Sequence, residues 1–337
     1  MLLHLNRQVL ERVKNEFPTS KIPQWVAVLT KRLILVASWS YILYRFVFDD
    51  SFNVSRLFYI SIDSNFLLQI ALVLILVFVN WGLESYKWKF SLSGFYKISF
   101  PKSFLGVLFG LSVAIFTPNR SGEYVGRIWV IPSEFRVKTV VATVFTNILQ
   151  LSVTLIFGVF ALYFWQKNYE LPFQFNFGKI NLFVIIFFLI LLVLIFSLIF
   201  FILNPTWFKR TIIQPIRDFI SHWTIPLTLK VWCLSFCRYL VFIVQFWLLL
   251  KIFDAQIPFI ETFYGVGIMY LVMALLPILT FAEPAVRSAL SVAFLSVFNS
   301  NDVGIISASL TMWIFNLAIP SVIGSIMLNS LKTKYYD

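Results

Sequence analysis

Charge is what this 337-residue chain has least of: Asp, Glu, Lys and Arg make up 12% of it, against 60% hydrophobic residues. Soluble domains run near a quarter charged. So many apolar residues cannot be hidden inside one globule of this size, so lipid must be the solvent for much of the chain, which excludes a soluble enzyme. Long polar stretches are missing too. The least hydrophobic segments, 1–24, 84–102 and 204–230, all fall short of the ~50 residues a folded soluble domain needs. Cysteine and histidine are down to two each. Cys233 and Cys237 stand four apart in an apolar run, which fits neither a CxxC redox pair nor zinc-ligand spacing, and no acid or nucleophile accompanies His4 or His222 in a local pattern. No metal, cofactor or nucleic acid is called for. With no P-loop in the sequence, any driving force is expected to be an ion gradient or the lipid gradient itself.

What the chain does have is a series of apolar runs, at 25–47, 64–83, 103–117, 139–165, 180–203, 231–250, 259–281 and 303–328, with a shorter one at 284–298. Most reach the roughly 20 residues a helix needs to cross a bilayer. Ahead of them, Leu2, Leu5, Val9, Val13 and Phe17 recur at helical spacing among Arg7, Arg12 and Lys14, with no signal peptide, so 1–24 is expected to lie on the membrane surface as an amphipathic helix. The rest reads as one transmembrane domain, 25–330, and a short cytoplasmic tail, 331–337.

Loop charges orient the runs, because cytoplasmic loops carry the excess of Lys and Arg. Arg7, Arg12, Lys14 and Lys21 put the N-terminus inside, and Asp49, Asp50 and Asp63 put the next loop outside. Lys87, Lys89, Lys97 and Lys102 read as inside again, and so do Arg136 and Lys138. The segment between, about 103–133, must therefore enter and leave on one face, turning at Pro118 and Gly122. Further on, Lys209, Arg210, Arg217 and Lys230 read as inside, Asp254 and Glu261 as outside, and Lys332 and Lys334 as inside. These signs agree only if 259–298 is a second hairpin, turning near Glu283 and Pro284. The expected fold is an all-α polytopic membrane protein of about six full spans plus two oppositely inserted re-entrant hairpins, an inverted repeat with broken helices near the midplane.

An ionisable side chain in the bilayer costs at least a few kcal/mol unless it is paired or meets water, so such residues are functional candidates. They are Arg120, Glu123 and Arg127 at the first break, Glu283 and Arg287 at the second, and Arg238 inside the apolar run VWCLSFCRYLVFIVQFWLLL. Each break carries an acid and a base four apart, on one helix face. Arg238 is expected either to contact ligand or to tie to one of those two glutamates. Buried arginines and the free amides of broken helices suit an anion, and a phosphate-bearing headgroup fits, its acyl chains left in the bilayer. The net charge of +12 suits anionic lipid and the positive-inside rule equally.

The stretch Thr117-Pro118-Asn119-Arg120-Ser121-Gly122-Glu123-Tyr124-Val125-Gly126-Arg127 resembles the T-P-x-R-x-G-E-x-x-x-R signature of the lysylphosphatidylglycerol synthase transmembrane, or flippase-like, family. Pro277 to Leu290 resembles that family's second signature, with Ala285-Val286-Arg287 in place of its G-V-R step and Pro284 directly after the acid. The resemblance implies a bacterial inner-membrane protein with both termini cytoplasmic, able to move an anionic or aminoacylated phospholipid headgroup between leaflets. It also implies no aminoacyl-transferase activity, since the soluble domain carrying it in bifunctional members is not found before Asp337. A different reading is a membrane transferase with a lipid-linked donor, using Asp49 and Asp50 in the outer loop. A membrane scaffold and a homo-oligomer also fit the composition.

Overall fold

The computed structural model describes residues 64–117, 120–169, 219, 223–276, 278 and 282–334. The expected surface helix at 1–24, the runs at 25–47 and 180–203, and Asp49 and Asp50 lie outside the described residues. All regular structure in the described residues is helical. In chain order these are α1 (Ser64–Leu92), α2 (Phe100–Ala114), α3 (Gly122–Arg127), α4 (Arg136–Asn168), α5 (Ile225–Ile252), α6 (Phe259–Leu275), α7 (Glu283–Leu295), α8 (Asp302–Trp313) and α9 (Ile319–Lys334). A π-helical turn, Ile314–Ala318, joins the last two into one continuous rod.

Four of these rods, α1, α4, α5 and α8 with α9, are long and apolar enough to cross a membrane. α2 and α6 are apolar but short, at 15 and 17 residues. At 1.5 Å per residue they reach about 22 and 26 Å, less than the ~30 Å hydrocarbon core. Breakers set these lengths. Pro101 opens α2, where its missing N–H costs nothing. Past Ala114 the chain turns, and it re-forms a helix only at Gly122.

The helices are built inside out relative to a soluble protein. On α1, Leu67, Leu68, Ile75 and Phe78 are exposed, while Asn80, Glu84 and Lys87 on the same helix are buried. A bilayer solvates the leucines for nothing, so the polar groups turn inward to find one another. α5 packs along α1, α6 along α4, and α9 along α2. α3 lies directly on α2, and two glycines make that possible. A Cβ on Gly122 would come within 2.5 Å of the Val113 carbonyl oxygen, and one on Gly126 would collide with the Phe109 carbonyl. Small residues four apart let two helix backbones touch in lipid.

The π turn has a local cause. Pro320 has no N–H to give back to the carbonyl four residues earlier, and the widened turn, in which the Ile319 amide bonds the Ile314 carbonyl, absorbs the mismatch. Asn316 sits on this turn and lines the central cavity.

One sequence expectation needs correcting here. Lys87 does not belong to a cytoplasmic loop: α1 runs nine residues past the apolar run, and Lys87 is 1% exposed within it. Its neighbour Glu84, three residues back, offsets its charge, so the pair adds nothing to a loop's sign. The inside assignment of that loop then rests on Lys89, Lys97 and Lys102.

Candidate functional site

A cavity of about 510 Å³ opens between α1, α2, α5, α6 and the two breaks. All six candidates from the sequence, Arg120, Glu123, Arg127, Arg238, Glu283 and Arg287, line it. Within each break the expected partners four apart are paired: Arg127 with Glu123, and Arg287 with Glu283 at 2.5 Å. The breaks are also joined to each other. Arg120 Nη2 donates to both carboxylate oxygens of Glu283, at 2.8 and 2.9 Å. Arg120 adopts a left-handed backbone, φ 56°, in the turn that leads into α3. A non-glycine residue held there costs of order 1–3 kcal/mol, so the surrounding contacts must fix it.

Glu84 was not among the sequence candidates, yet it is the hub of the site. It accepts from Lys87 at 2.8 Å, from Arg127 at 2.6 Å and from Arg238, three cations on one buried carboxylate. Arg238 is therefore tied to a glutamate, but to Glu84 rather than to Glu123 or Glu283. Its Nε donates to Asn80 Oδ1 at 2.9 Å, and the Asn80 amide donates in turn to Asn316 on the π turn at 2.8 Å. From α4, Gln150 accepts from Lys87 at 3.4 Å and from Arg238 at 3.5 Å.

The signal for these polar residues was in the sequence. Asn80, Glu84 and Lys87 are spaced four and three apart, as are Thr143, Asn147, Gln150 and Thr154. Each set marks one stripe of a helix. Both stripes face the cavity or its wall, where Thr143 Oγ1 accepts from Trp88 Nε1 at 3.1 Å.

Aromatic rings stand under the guanidinium groups. Arg127 lies over Trp88 at 5.4 Å, Arg238 over Phe242 at 5.6 Å and Arg287 over Tyr270 at 5.5 Å. These contacts hold the arginines flat without neutralising them. The free amides expected at the first break are in fact used locally. The Gly122 N–H donates to Thr117 Oγ1 at 2.7 Å and the Glu123 N–H to the Arg120 carbonyl at 3.0 Å. The polar groups left to face the cavity at this break are therefore side chains. Among the described residues, no three His, Cys, Asp or Glu side chains stand close enough to hold a metal ion.

Residues 32–324 match the family described as the lysylphosphatidylglycerol synthase TM region, and the chain belongs to that family. No curated protein matches it. Family and helices together make it a multi-pass membrane protein related to lipid modification or flipping.

Proposed function

We propose that this member of the family takes the polar headgroup of a phospholipid into the cavity between its two helix breaks and carries it from one leaflet to the other. One observation carries the reading: among the described residues, eight charged side chains converge on one cavity among apolar helices. Burying them is costly unless each is paired or meets a ligand. A volume of about 510 Å³ suits a headgroup, as small-molecule sites span roughly 300–1,000 Å³. Acyl chains would stay outside, against surfaces such as Leu67, Ile75 and Phe78.

The proposed architecture remains six full spans and two opposed re-entrant hairpins, in a bacterial inner membrane with both termini cytoplasmic. Its support is the shortness of α2 and α6 and the Glu/Arg pair after each break. Arginines of the two breaks would grip phosphate, and exchange of the Arg120–Glu283 pair would open the cavity to one leaflet or the other. No nucleotide site is invoked.

The test is headgroup transfer in proteoliposomes, read with a fluorescent phospholipid and a membrane-impermeant quencher. Arg127→Ala is expected to abolish transfer while leaving the helical circular dichroism intact. Unchanged transfer rates would remove the cavity from the mechanism.

A further inference from the structure

The charge balance of the cavity takes the lipid reading a step further. Among the described residues, five cations line it, Lys87, Arg120, Arg127, Arg238 and Arg287, against three carboxylates, Glu84, Glu123 and Glu283, a surplus of two positive charges. Each of these three carboxylates is already engaged. Glu84 holds three cations, Glu283 holds Arg120 and Arg287, and Glu123 holds Arg127.

Donors, by contrast, are left over. Arg127 meets both its glutamates through Nη2, and its buried Nε and Nη1 have no acceptor among the described residues. The same holds for Arg287 Nε and for the Tyr239 and Tyr270 hydroxyls. Arg127 is 1% exposed and Arg287 6%, so these nitrogens do not meet bulk solvent, and a small turn of either side chain toward the cavity it lines presents them to a ligand there. A buried donor without an acceptor costs about 1–3 kcal/mol, more when it is charged. An anion with several acceptor oxygens satisfies the spare donors and the surplus charge together. A primary ammonium would meet carboxylates already taken, in a field of its own sign.

We infer that the cavity selects a phospholipid whose headgroup is net anionic, a phosphodiester with uncharged substituents, and disfavours the aminoacylated headgroup after which the family is named. This rests on the cavity being a lipid site. Arg127 and Arg287 then serve as specificity determinants, seating phosphate oxygens with the nitrogens that their glutamates leave free. Arg120, whose side chain is 40% exposed, is the first cation an entering phosphate meets.

The purified full chain, stripped of lipid in detergent, is titrated by native mass spectrometry with phosphatidylglycerol, lysylphosphatidylglycerol, phosphatidylcholine and, separately, glycerol phosphate. Phosphatidylglycerol is expected to bind one to one and at least about tenfold tighter than lysylphosphatidylglycerol, a difference of about 1.4 kcal/mol. Phosphatidylcholine should fall between. Arg127→Gln removes one charge of the surplus and should narrow the ratio of the two affinities severalfold, a readout that a general loss of folding would not move. Equal or tighter binding of lysylphosphatidylglycerol overturns the selectivity and leaves the lipid site standing. Failure of all three lipids to bind stoichiometrically, or glycerol phosphate binding as tightly as phosphatidylglycerol, overturns the lipid reading and this inference with it.

Discussion

Arg120 and Glu283 stand 163 residues apart in the chain and meet in a two-oxygen ion pair, one from each helix break. Glu283 is also held by Arg287, so losing Arg120 leaves no isolated buried charge on α7. The pair is thus a link that can open without stranding its carboxylate. That property suits the exchange proposed for this contact.

The Arg120 backbone makes one prediction with an unusual sign. Replacing a residue with Gly is ordinarily worse than replacing it with Ala, by roughly 0.5–1 kcal/mol in regular structure. At φ 56° the order is expected to reverse. Both variants lose the ion pair, so Arg120→Ala should unfold at a lower temperature than Arg120→Gly in detergent. A higher unfolding temperature for the alanine variant would contradict the left-handed turn.

Glu84 is predicted to be the most costly carboxylate to neutralise. Glu84→Gln leaves Lys87, Arg127 and Arg238 without their shared counter-charge, and breaking a buried pair costs about 3–5 kcal/mol. Thermal unfolding should show a larger loss than for Glu123→Gln, whose carboxylate holds one arginine. Adding Arg238→Gln to Glu84→Gln should recover part of the loss, because the second change removes one of the stranded charges.

Two glycines separate close approach from plain helix propensity. Gly126→Ala drives a Cβ into the Phe109 carbonyl, which is backbone and cannot swing aside, so the α2–α3 contact should be lost along with the yield of folded protein. Gly82, in the middle of α1, has nothing within 4 Å of an added Cβ. Gly82→Ala is expected to stabilise the protein by about 0.5–1 kcal/mol. The two melting curves, taken side by side, check both statements.

The proposed hairpin is tested by accessibility. With Cys233 and Cys237 replaced, single cysteines at Leu105 and Glu134 should both react with an impermeant thiol reagent added from the same side of the membrane. Labelling from opposite sides would replace the hairpin with a full span.

Much of the helix pattern in the described residues could be read directly from the chain, because lipid imposes a simple rule. Apolar stretches become helices, breakers such as Pro101 and Gly122 fall at or near helix starts, and each Glu/Arg couple four apart pairs along its own helix. Those are local consequences of hydropathy and helical spacing, carried by neighbouring residues. The hub was harder to see. Glu84 and Lys87 lie just beyond an apolar run, in a segment whose composition resembles a loop, and it takes the packing of α1 against α5, α2 and α4 to bury them. Arg238 had to choose among glutamates that are equally available on paper, and the shared face of α1 and α5 chose Glu84. The sequence by itself determined that this chain lives in a membrane and that two helix breaks and one apolar run carry ionisable residues. Tertiary structure decided who pairs with whom, since a charge buried away from water takes the nearest opposite charge in space, and helix packing sets that distance.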